Sequence, residues 1–357
     1  VQRLGYSIEK RPINLISLGK GPVQVLLWSQ MHGDESTATM ALFDMFNYFS
    51  SDDNGAEKQM ILDSLTLHFI PMLNPDGAER FTRRNALNID LNRDALRLTA
   101  PESRILKRVR DSLQPKFGFN LHDQSVYYNT QGTGNTATIS VLAPAYNYEK
   151  EVNNVRGNAM KMIVHLNTTM QKFIPGKVGR YDDAFEPRAF GDNIQKWGTS
   201  AILIESGGYK NDAEKQYIRK LNYIGILSSL YAIAAKSYDS IKVEDYFSIP
   251  ENDRKLNDLK VKNFSYTLND QLFTLDLAIN RNLVQKDGTR NYYKASIEDL
   301  GDLSTFFGYD EVDATGLTWQ QGKVYPTALP NLNALAHLDF EKLLREGYTY
   351  VRVSNTG

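Results

Sequence analysis

The stretch Val23-Gln24-Val25-Leu26-Leu27-Trp28, followed after three residues by His32-Gly33-Asp34-Glu35, carries the most information about the fold of this chain. Its first six residues are a short apolar run, of the length that suits a strand buried on both faces of a sheet. His32 and Glu35 follow where the apolar run ends. We therefore predict a buried strand that brings two side chains of metal-binding type to the edge of a sheet.

The same pattern returns along the first two thirds of the chain, with helical patterns between the apolar runs. Further strands are predicted at 65–70, 117–121, 139–142 and 201–204, and helices at 37–48, 101–113, 149–173 and 212–235. Apolar strands that alternate with helices favour an α/β fold, in which a mostly parallel mixed sheet is covered by helices on both faces. His122 and Glu205 each follow such a strand, as His32 does. The carboxyl ends of parallel strands share one crevice, so we expect these three residues to converge.

The pattern changes near residues 238–257, and beyond this point it alternates as β-strands do. Candidate strands are 264–268, 272–277 and 348–353, with turn signals at Asp287-Gly288 and Gln321-Gly322. A chain of 357 residues exceeds one typical hydrophobic core. We therefore predict two domains, a catalytic domain over 1–240 and a β-rich accessory domain over 245–357.

The composition is that of an ordinary globular protein, with 41% hydrophobic and 23% charged residues. The net charge of −1 and the lack of long runs of one sign argue against nucleic acid or an anionic membrane as an obligate partner. No apolar run approaches the ~20 residues of a membrane span. The oligomeric state is left open.

The chain contains no cysteine, so any zinc ligands must be histidines and carboxylates. It starts at Val1 without an apolar signal core, as a mature or trimmed product would. We expect a periplasmic or extracellular location and leave a cytoplasmic one open.

Five histidines narrow the choice of metal ligands. His32, Glu35 and His122 make a complete three-ligand set of the kind that leaves one position open for water or substrate. His68 lies within a strand and His165 within a helix, so structural roles are expected for both. Asp90 is the candidate for orienting His32, since a ligating histidine usually donates its second ring N–H to an oxygen.

These motifs resemble a known family, the metallocarboxypeptidases of the carboxypeptidase A type (family M14). The resemblance rests on residues 1–237, in which order and spacing both agree, and the segment 82–86 is most similar to bacterial members, including those that cut murein peptides. The motifs that carry it are His32-x-x-Glu35, Asn74-Pro75-Asp76-Gly77, Asn88-Ile89-Asp90-Leu91-Asn92-Arg93, Leu121-His122-Asp123-Gln124 and Ile204-Glu205-Ser206.

The resemblance implies one Zn²⁺ per chain and a peptide substrate with a free C-terminus. It implies that His32, Glu35 and His122 bind the metal, with Asp90 supporting His32. Catalytic roles fall to Glu205 as general base and acid, Arg83 as the group that polarises the carbonyl, and Tyr181, with Tyr209 as the second choice, as the mobile tyrosine. Asn92 and Arg93 would bind the terminal carboxylate. The family usually has Asn where this chain has Asp94, a difference that bears on carboxylate binding.

The residues themselves support this chemistry. A carboxylate such as Glu205 can carry the proton from water to the leaving amine, and arginines suit a developing oxyanion and a planar carboxylate. Two alternatives stay open, namely an N-acyl amino acid deacylase of the aspartoacylase or desuccinylase kind and a non-catalytic binding protein. The resemblance implies that the stretch before Glu205 lines the pocket for the terminal side chain. Its charged residues, Asp182, Asp183, Glu186, Arg188 and Asp192, would favour a cationic or zwitterionic terminal residue there.

Overall fold

The computed structural model describes residues 1–52, 55–286, 290–317, 322–330, 334 and 337–350. The predicted Asp287-Gly288 turn, Gln321 and the end of the last predicted strand, 351–353, lie outside the described residues. The predicted turn and strand end therefore stay predictions.

An eight-stranded mixed sheet forms the centre of the first part of the chain. The strands lie in the order β1–β2–β4–β3–β5–β9–β7–β8. Their bounds are β1 Gln2–Tyr6, β2 Pro12–Gly19, β3 Val23–Trp28, β4 Leu65–Ile70, β5 Phe117–Asp123, β7 Ile139–Leu142, β8 Val178–Arg180 and β9 Ser200–Ser206. The four central strands β4, β3, β5 and β9 run parallel, while β1, β2 and β7 introduce antiparallel pairs.

Helices cover both faces of this sheet, and the alternation of side chains along β3 shows why. The helices are α1 Thr37–Ser50, α2 Ala56–Ser64, α3 Pro75–Arg80, α4 Pro101–Leu113, α5 Asn154–Met170, α6 Phe190–Lys196, α7 Gln216–Ala235 and α8 Phe340–Arg345, with 3₁₀ turns at Leu91–Arg93, Ser237–Ser240 and Val243–Ser248. Val25 and Leu27 point into a core formed with α1, α2, α5 and α7, whereas Leu26 and Trp28 point into a second core formed with α4 and α6. The predicted α/β class, with helices on both faces, is confirmed.

Two helices begin later than the sequence pattern predicts, in both cases because a polar side chain caps the first turn. The helix predicted from residue 149 begins after Asn153, whose side chain accepts the Arg156 N–H. The helix predicted from Asp212 begins at Gln216, and the Asp212 carboxylate accepts the N–H groups of Tyr217 and Ile218. These residues belong to the N-terminal capping structures rather than to the helices themselves.

The C-terminal part is β-rich, as predicted. Its main sheet has the order β13–β12–β11–β14, formed by β11 Leu256–Leu268, β12 Gln271–Lys286, β13 Arg290–Gly301 and β14 Phe307–Asp313. The turn between β11 and β12 places Asn269 and Asp270 at φ +50° and +62°, the left-handed geometry that matches the twist of a two-residue hairpin. A short parallel pair joins β15 Lys323–Val324 to β16 Tyr348–Tyr350.

The C-terminal part packs on the loop that follows β5. Strand β10 (Asn252–Asp253) pairs with β6 (Asn129–Thr130), and Asn252 donates a hydrogen bond of 3.0 Å to Gln124, two residues beyond His122. The domain boundary near residues 240–245 stays a prediction. Among the described residues no helix is long and apolar enough to cross a bilayer.

Candidate metal and catalytic site

Three neighbouring strands bring the predicted site residues together. His32 follows β3, His122 lies near the end of β5 and Glu205 near the end of β9, and these strands are adjacent in the sheet. His122 is the register partner of Glu205, so the two lie side by side. They line one cleft, with a volume of about 440 Å³, together with Arg83 and Arg93.

Glycine at position 33 lets the turn at residues 74–77 pack directly against the His32 loop. A Cβ on Gly33 would lie 2.0 Å from the backbone carbon of Gly77, so no side chain fits there. The Asn74 side chain accepts the Gly77 N–H at 2.9 Å and donates to the Met31 carbonyl at 3.3 Å. This turn therefore fixes the backbone just before His32.

The three predicted ligands present their donor atoms to one another. Nδ1 of His32 lies 2.7 Å from one carboxylate oxygen of Glu35, and Nδ1 of His122 lies 2.6 Å from the other. The two Nδ1 atoms are 3.1 Å apart, and all three side chains are buried. Their ligand atoms lie within 4.8 Å of one another, so a single metal ion can contact all three.

Asp90 holds the opposite side of the His32 ring. Its carboxylate lies 3.1 Å from Nε2 of His32, and its second oxygen accepts two hydrogen bonds from Arg83 at 3.1 and 3.2 Å. The first oxygen also accepts the Asn92 N–H at 2.9 Å. Asp90 thus connects the predicted metal ligand His32, the cationic side chain of Arg83 and the segment that carries Arg93.

Charge is unevenly distributed around the ligands. Burial alone would raise the pKa of Glu35, but the charges and hydrogen bonds of His122 and His32 outweigh it and hold that pKa below its ordinary value. Burial also favours neutral His32, yet its hydrogen bonds to Asp90 and Glu35 raise its pKa. Nη1 of Arg83 lies 3.0 Å from Nδ1 of His32 and 3.1 Å from Glu35, so positive charge already faces two of the ligands.

The pKa of Glu205 shifts in the opposite direction from that of Glu35. Burial, reinforced by the negative charges of Glu35 and Asp123 and opposed by His122, raises the pKa of Glu205 to about 8. A carboxyl group with a pKa near neutrality can exchange protons in both directions at working pH.

Arg93 also lines the cleft, and its guanidinium forms an ion pair with the carboxylate of Glu186. Nε of Arg93 lies 3.4 Å from the Glu186 carboxylate, which also pairs with Arg188 at 2.9 Å. Asn92 lines the cleft as well and accepts the Phe190 N–H at 2.9 Å. An incoming carboxylate would have to compete with Glu186 for Arg93.

Asp94, at the position where the resemblance leads us to expect Asn, accepts hydrogen bonds from the backbone. Its two carboxylate oxygens accept the N–H groups of Thr99 and Ala100 at 2.9 and 2.8 Å, and the residue is buried. The substitution therefore acts on the turn before α4 and does not add a free charge to the cleft.

The acidic stretch before Glu205 contributes fewer pocket charges than its composition suggests. Asp183 is paired with the buried Arg156 and with Lys150, both at 2.7 Å. Asp192 lines the cleft, is buried, and has a pKa raised to about 7, chiefly by burial. It is the buried acid of this stretch, while Asp182 lines the cleft from an exposed position.

The two tyrosine candidates lie in different places. Tyr181 lines the cleft, and its hydroxyl lies 3.4 Å from that of Tyr128. Burial and the Tyr128 contact raise its pKa, so it stays protonated and can donate a hydrogen bond. Tyr209 packs against Tyr217 and lines a neighbouring cavity instead. Geometry therefore favours Tyr181 as the substrate-contacting tyrosine.

Sequence reasoning assigned no role to Asp123 or Lys215. Asp123 follows His122 directly, and its carboxylate accepts hydrogen bonds from Thr37 at 2.5 Å and from Lys215 at 3.0 Å. Its N–H lies 3.3 Å from the Glu35 carboxylate. The position of Asp123 at a strand end, next to the predicted ligand His122, was the feature of the sequence that could have indicated its role.

The remaining histidines do not lie at the site. His68 forms hydrogen bonds with Ser17 and Gln24, His165 forms one with Ser228, and His337 is exposed.

Comparison with known proteins agrees with this geometry. Residues 1–98 match the family model described as zinc carboxypeptidase (peptidase M14). Carboxypeptidase SOL1 of Arabidopsis thaliana is 32% identical over 98 residues, which cover 26% of this chain and 20% of that protein. Carboxypeptidase 2 of Trichophyton rubrum is 27% identical over 101 residues, or 28% and 18% of the two chains. The first 98 residues of the chain are therefore similar to zinc carboxypeptidases.

Solved structures show the same fold. A metallo-carboxypeptidase from Burkholderia cenocepacia superposes with a TM-score of 0.52 at 17% identity, over 66% of this chain and 64% of that one. Carboxypeptidase A from Helicoverpa armigera gives 0.52 at 15% identity, over 66% and 68%. The sequence matches span about a fifth of the curated relatives' length, and the family match includes His32, Glu35 and Arg93 but stops before His122 and Glu205.

Proposed function

We propose that this protein hydrolyses a peptide bond next to a free C-terminal carboxylate, with zinc as its metal. The observation that carries the proposal is the convergence, in one cleft, of a His32–Glu35–His122 ligand set, a partly buried glutamic acid at position 205 and an arginine at position 93. Each of these groups meets one requirement of the reaction: metal binding, proton transfer and carboxylate recognition.

The donor set fits zinc. Two imidazole nitrogens and a carboxylate are ligands that zinc prefers, and three protein ligands leave a position open for water. His32 has the second hydrogen bond, to Asp90, that a ligating histidine usually makes. When bound at such a site, zinc activates water and polarises the substrate carbonyl.

The chain's own residues supply the remaining steps. Glu205 would accept the proton of the attacking water and deliver it to the departing amine, a role that its pKa of about 8 allows. Arg83, which lies at the ligands and is partly exposed, is placed to stabilise negative charge on the carbonyl oxygen. Arg93 would bind the terminal carboxylate with its planar guanidinium.

The pocket chemistry favours a long cationic or zwitterionic terminal residue. Leu142, Pro144 and Leu203 supply apolar walls, and Asp192 supplies a buried acid. An aliphatic side chain that ends in an ammonium group satisfies both features. Lysine and diaminopimelate have this form. The exposed Arg188, which pairs with the cleft-lining Glu186 at 2.9 Å, suits the second carboxylate of diaminopimelate. Murein-type peptides are therefore part of the proposal, in keeping with a periplasmic or extracellular location.

A digest of mixed peptides, muropeptides and N-acyl amino acids, followed by mass spectrometry, tests the proposal. We expect loss of single C-terminal residues from peptides, inhibition by a chelator and recovery with zinc. Amidated copies of the same peptides should resist hydrolysis. Selective cleavage of N-acyl amino acids would overturn the proposal in favour of the deacylase.

The Glu205→Gln variant is the control for contaminating peptidases, because it removes the proton carrier and keeps the size of the side chain. Cleavage that persists unchanged in a preparation of this variant would not belong to the proposed site.

A further inference from the structure

A second cavity, with a volume of about 650 Å³, lies between the two parts of the chain. The catalytic part contributes Tyr127 and Tyr209, and the C-terminal sheet contributes Arg281, Tyr293 and Tyr309. Its size falls in the range of ligand-binding pockets, ~300–1,000 Å³. Nothing in the catalytic steps proposed above uses it.

Hydrogen bonds between the two parts fix the shape of this interdomain cavity. Asp258 accepts the Tyr127 hydroxyl at 2.6 Å and pairs with Arg281 at 3.0 Å. The Tyr309 hydroxyl donates to the Val126 carbonyl at 2.6 Å, and a Cβ on Gly208 would lie 2.3 Å from that hydroxyl oxygen. Glycine at 208 is thus required for Tyr309 to reach its partner, and the walls are held in place by specific contacts.

A third depression adjoins both the catalytic cleft and the interdomain cavity. Glu35, Asp123 and Gln124 line both this smaller depression and the cleft. Ala213 and Lys215 line both the depression and the interdomain cavity. The backbone gives the same connection: Gly207 and Gly208 line the cavity two and three residues after Glu205. One surface therefore leads from the proposed metal site to the C-terminal sheet.

The direction of a bound peptide follows from the position of Arg93. If Arg93 holds the terminal carboxylate, residues upstream of the cleaved bond must leave the cleft at another end. The depression beside Asp123 and Lys215 offers that exit. An extended chain advances ~3.3–3.6 Å per residue, so three or four upstream residues extend about 10–14 Å beyond the reacting bond.

The charges of the interdomain cavity balance. Its lining has three cations, Lys210, Lys215 and Arg281, and three acids, Asp212, Asp258 and Asp310. Each cation is paired: Lys210 with Asp310 and Arg281 with Asp258 inside the cavity, and Lys215 with Asp123 outside it, at 2.7–3.0 Å. Tyrosine rings make up much of the remaining wall, with Tyr293 about half exposed and the Arg281 guanidinium 5.4 Å from its ring centre. Such a surface suits uncharged polar or aromatic groups, bound by ring contacts and hydrogen bonds rather than by net charge.

We propose that the interdomain cavity binds the upstream residues of the peptide substrate, so that the C-terminal sheet contributes to substrate selection. This proposal rests on the proposed function. It assigns the C-terminal part a role in binding, and it predicts that hydrolysis improves with peptide length, most for neutral polar or aromatic upstream residues.

The test is a series of N-acylated peptides of two, three, four and six residues with the same C-terminal pair. For the unchanged protein we expect kcat/KM to rise about tenfold between two and six residues, which corresponds to ~1.4 kcal/mol. Tyr293→Ala should remove most of this gain and leave the two-residue substrate unaffected. Tyr231→Ala, which removes an exposed tyrosine on α7 outside the cavity, is the matched control and should behave as the unchanged protein.

Two failures can be told apart. Hydrolysis without length dependence, or an equal loss at every length in Tyr293→Ala, would overturn the assignment of the interdomain cavity and leave the carboxypeptidase proposal intact. No hydrolysis at any length by metal-loaded protein would overturn the proposed function itself.

Discussion

Replacement of Asp90 by asparagine should weaken zinc binding without removing any metal ligand. Asp90 contacts Nε2 of His32 at 3.1 Å and also accepts two hydrogen bonds from Arg83. Asparagine keeps the shape of the side chain and one oxygen atom, but it loses the negative charge that makes the His32 ring a stronger electron-pair donor to the metal. Loss of such a supporting partner typically lowers metal affinity by ~10–100-fold, or about 1.4–2.7 kcal/mol.

The assay is a zinc titration against a competing chelator of known affinity. Asp182→Asn is the matched control, because it removes the same charge from an exposed position in the cleft without touching a ligand. We expect that variant to keep its affinity within about twofold, since exposed charges are strongly screened. Unchanged zinc affinity in Asp90→Asn, or an equal loss in both variants, would refute the role of Asp90 in orienting His32.

Three further outcomes follow from the cleft. Glu205→Gln should retain zinc while turnover falls ~10²-fold or more, measured on metal-replete protein, and near-normal turnover would contradict its role as proton carrier. Arg93→Ala should cost on the order of 2–3 kcal/mol on substrates with a free carboxylate and far less on amidated ones, so equal losses would exclude carboxylate binding by Arg93. Because Asp192 is charged only above its pKa of about 7, the ratio of kcat/KM for terminal lysine to kcat/KM for terminal leucine should rise with pH through that value and flatten in Asp192→Asn. An unchanged pH profile in that variant would show that another group is responsible.

The sequence predicted the centre of the fold well, because that part depends on patterns within single segments. The run at 65–70 coincides with β4 and the pattern at 101–113 with α4, since both are bounded by strong signals such as Pro71 and Pro101. The edge strand β1 and its neighbour β2 were not predicted. Their residues are largely exposed or alternately buried, so no continuous apolar run marks them.

Convergence of His32, His122 and Glu205 followed from one general property, the shared edge of parallel strands. Pairings between distant charged residues could not be obtained in this way. Arg156 at 2.7 Å from Asp183, and Glu186 on Arg93, depend on how loops fold back over the cleft. The interdomain cavity could not be predicted from the sequence for the same reason. Its walls come from segments more than 150 residues apart, such as those that contain Tyr127 and Arg281.

The most direct test of the central claim is to measure metal content and C-terminal hydrolysis together while zinc is returned to metal-free protein. The proposed site predicts that one zinc per chain restores full hydrolysis of a free-carboxylate peptide, and that His122→Ala neither retains that zinc at the same free concentration nor recovers activity. Full hydrolysis by the metal-free protein, or full zinc retention by His122→Ala, would contradict the account.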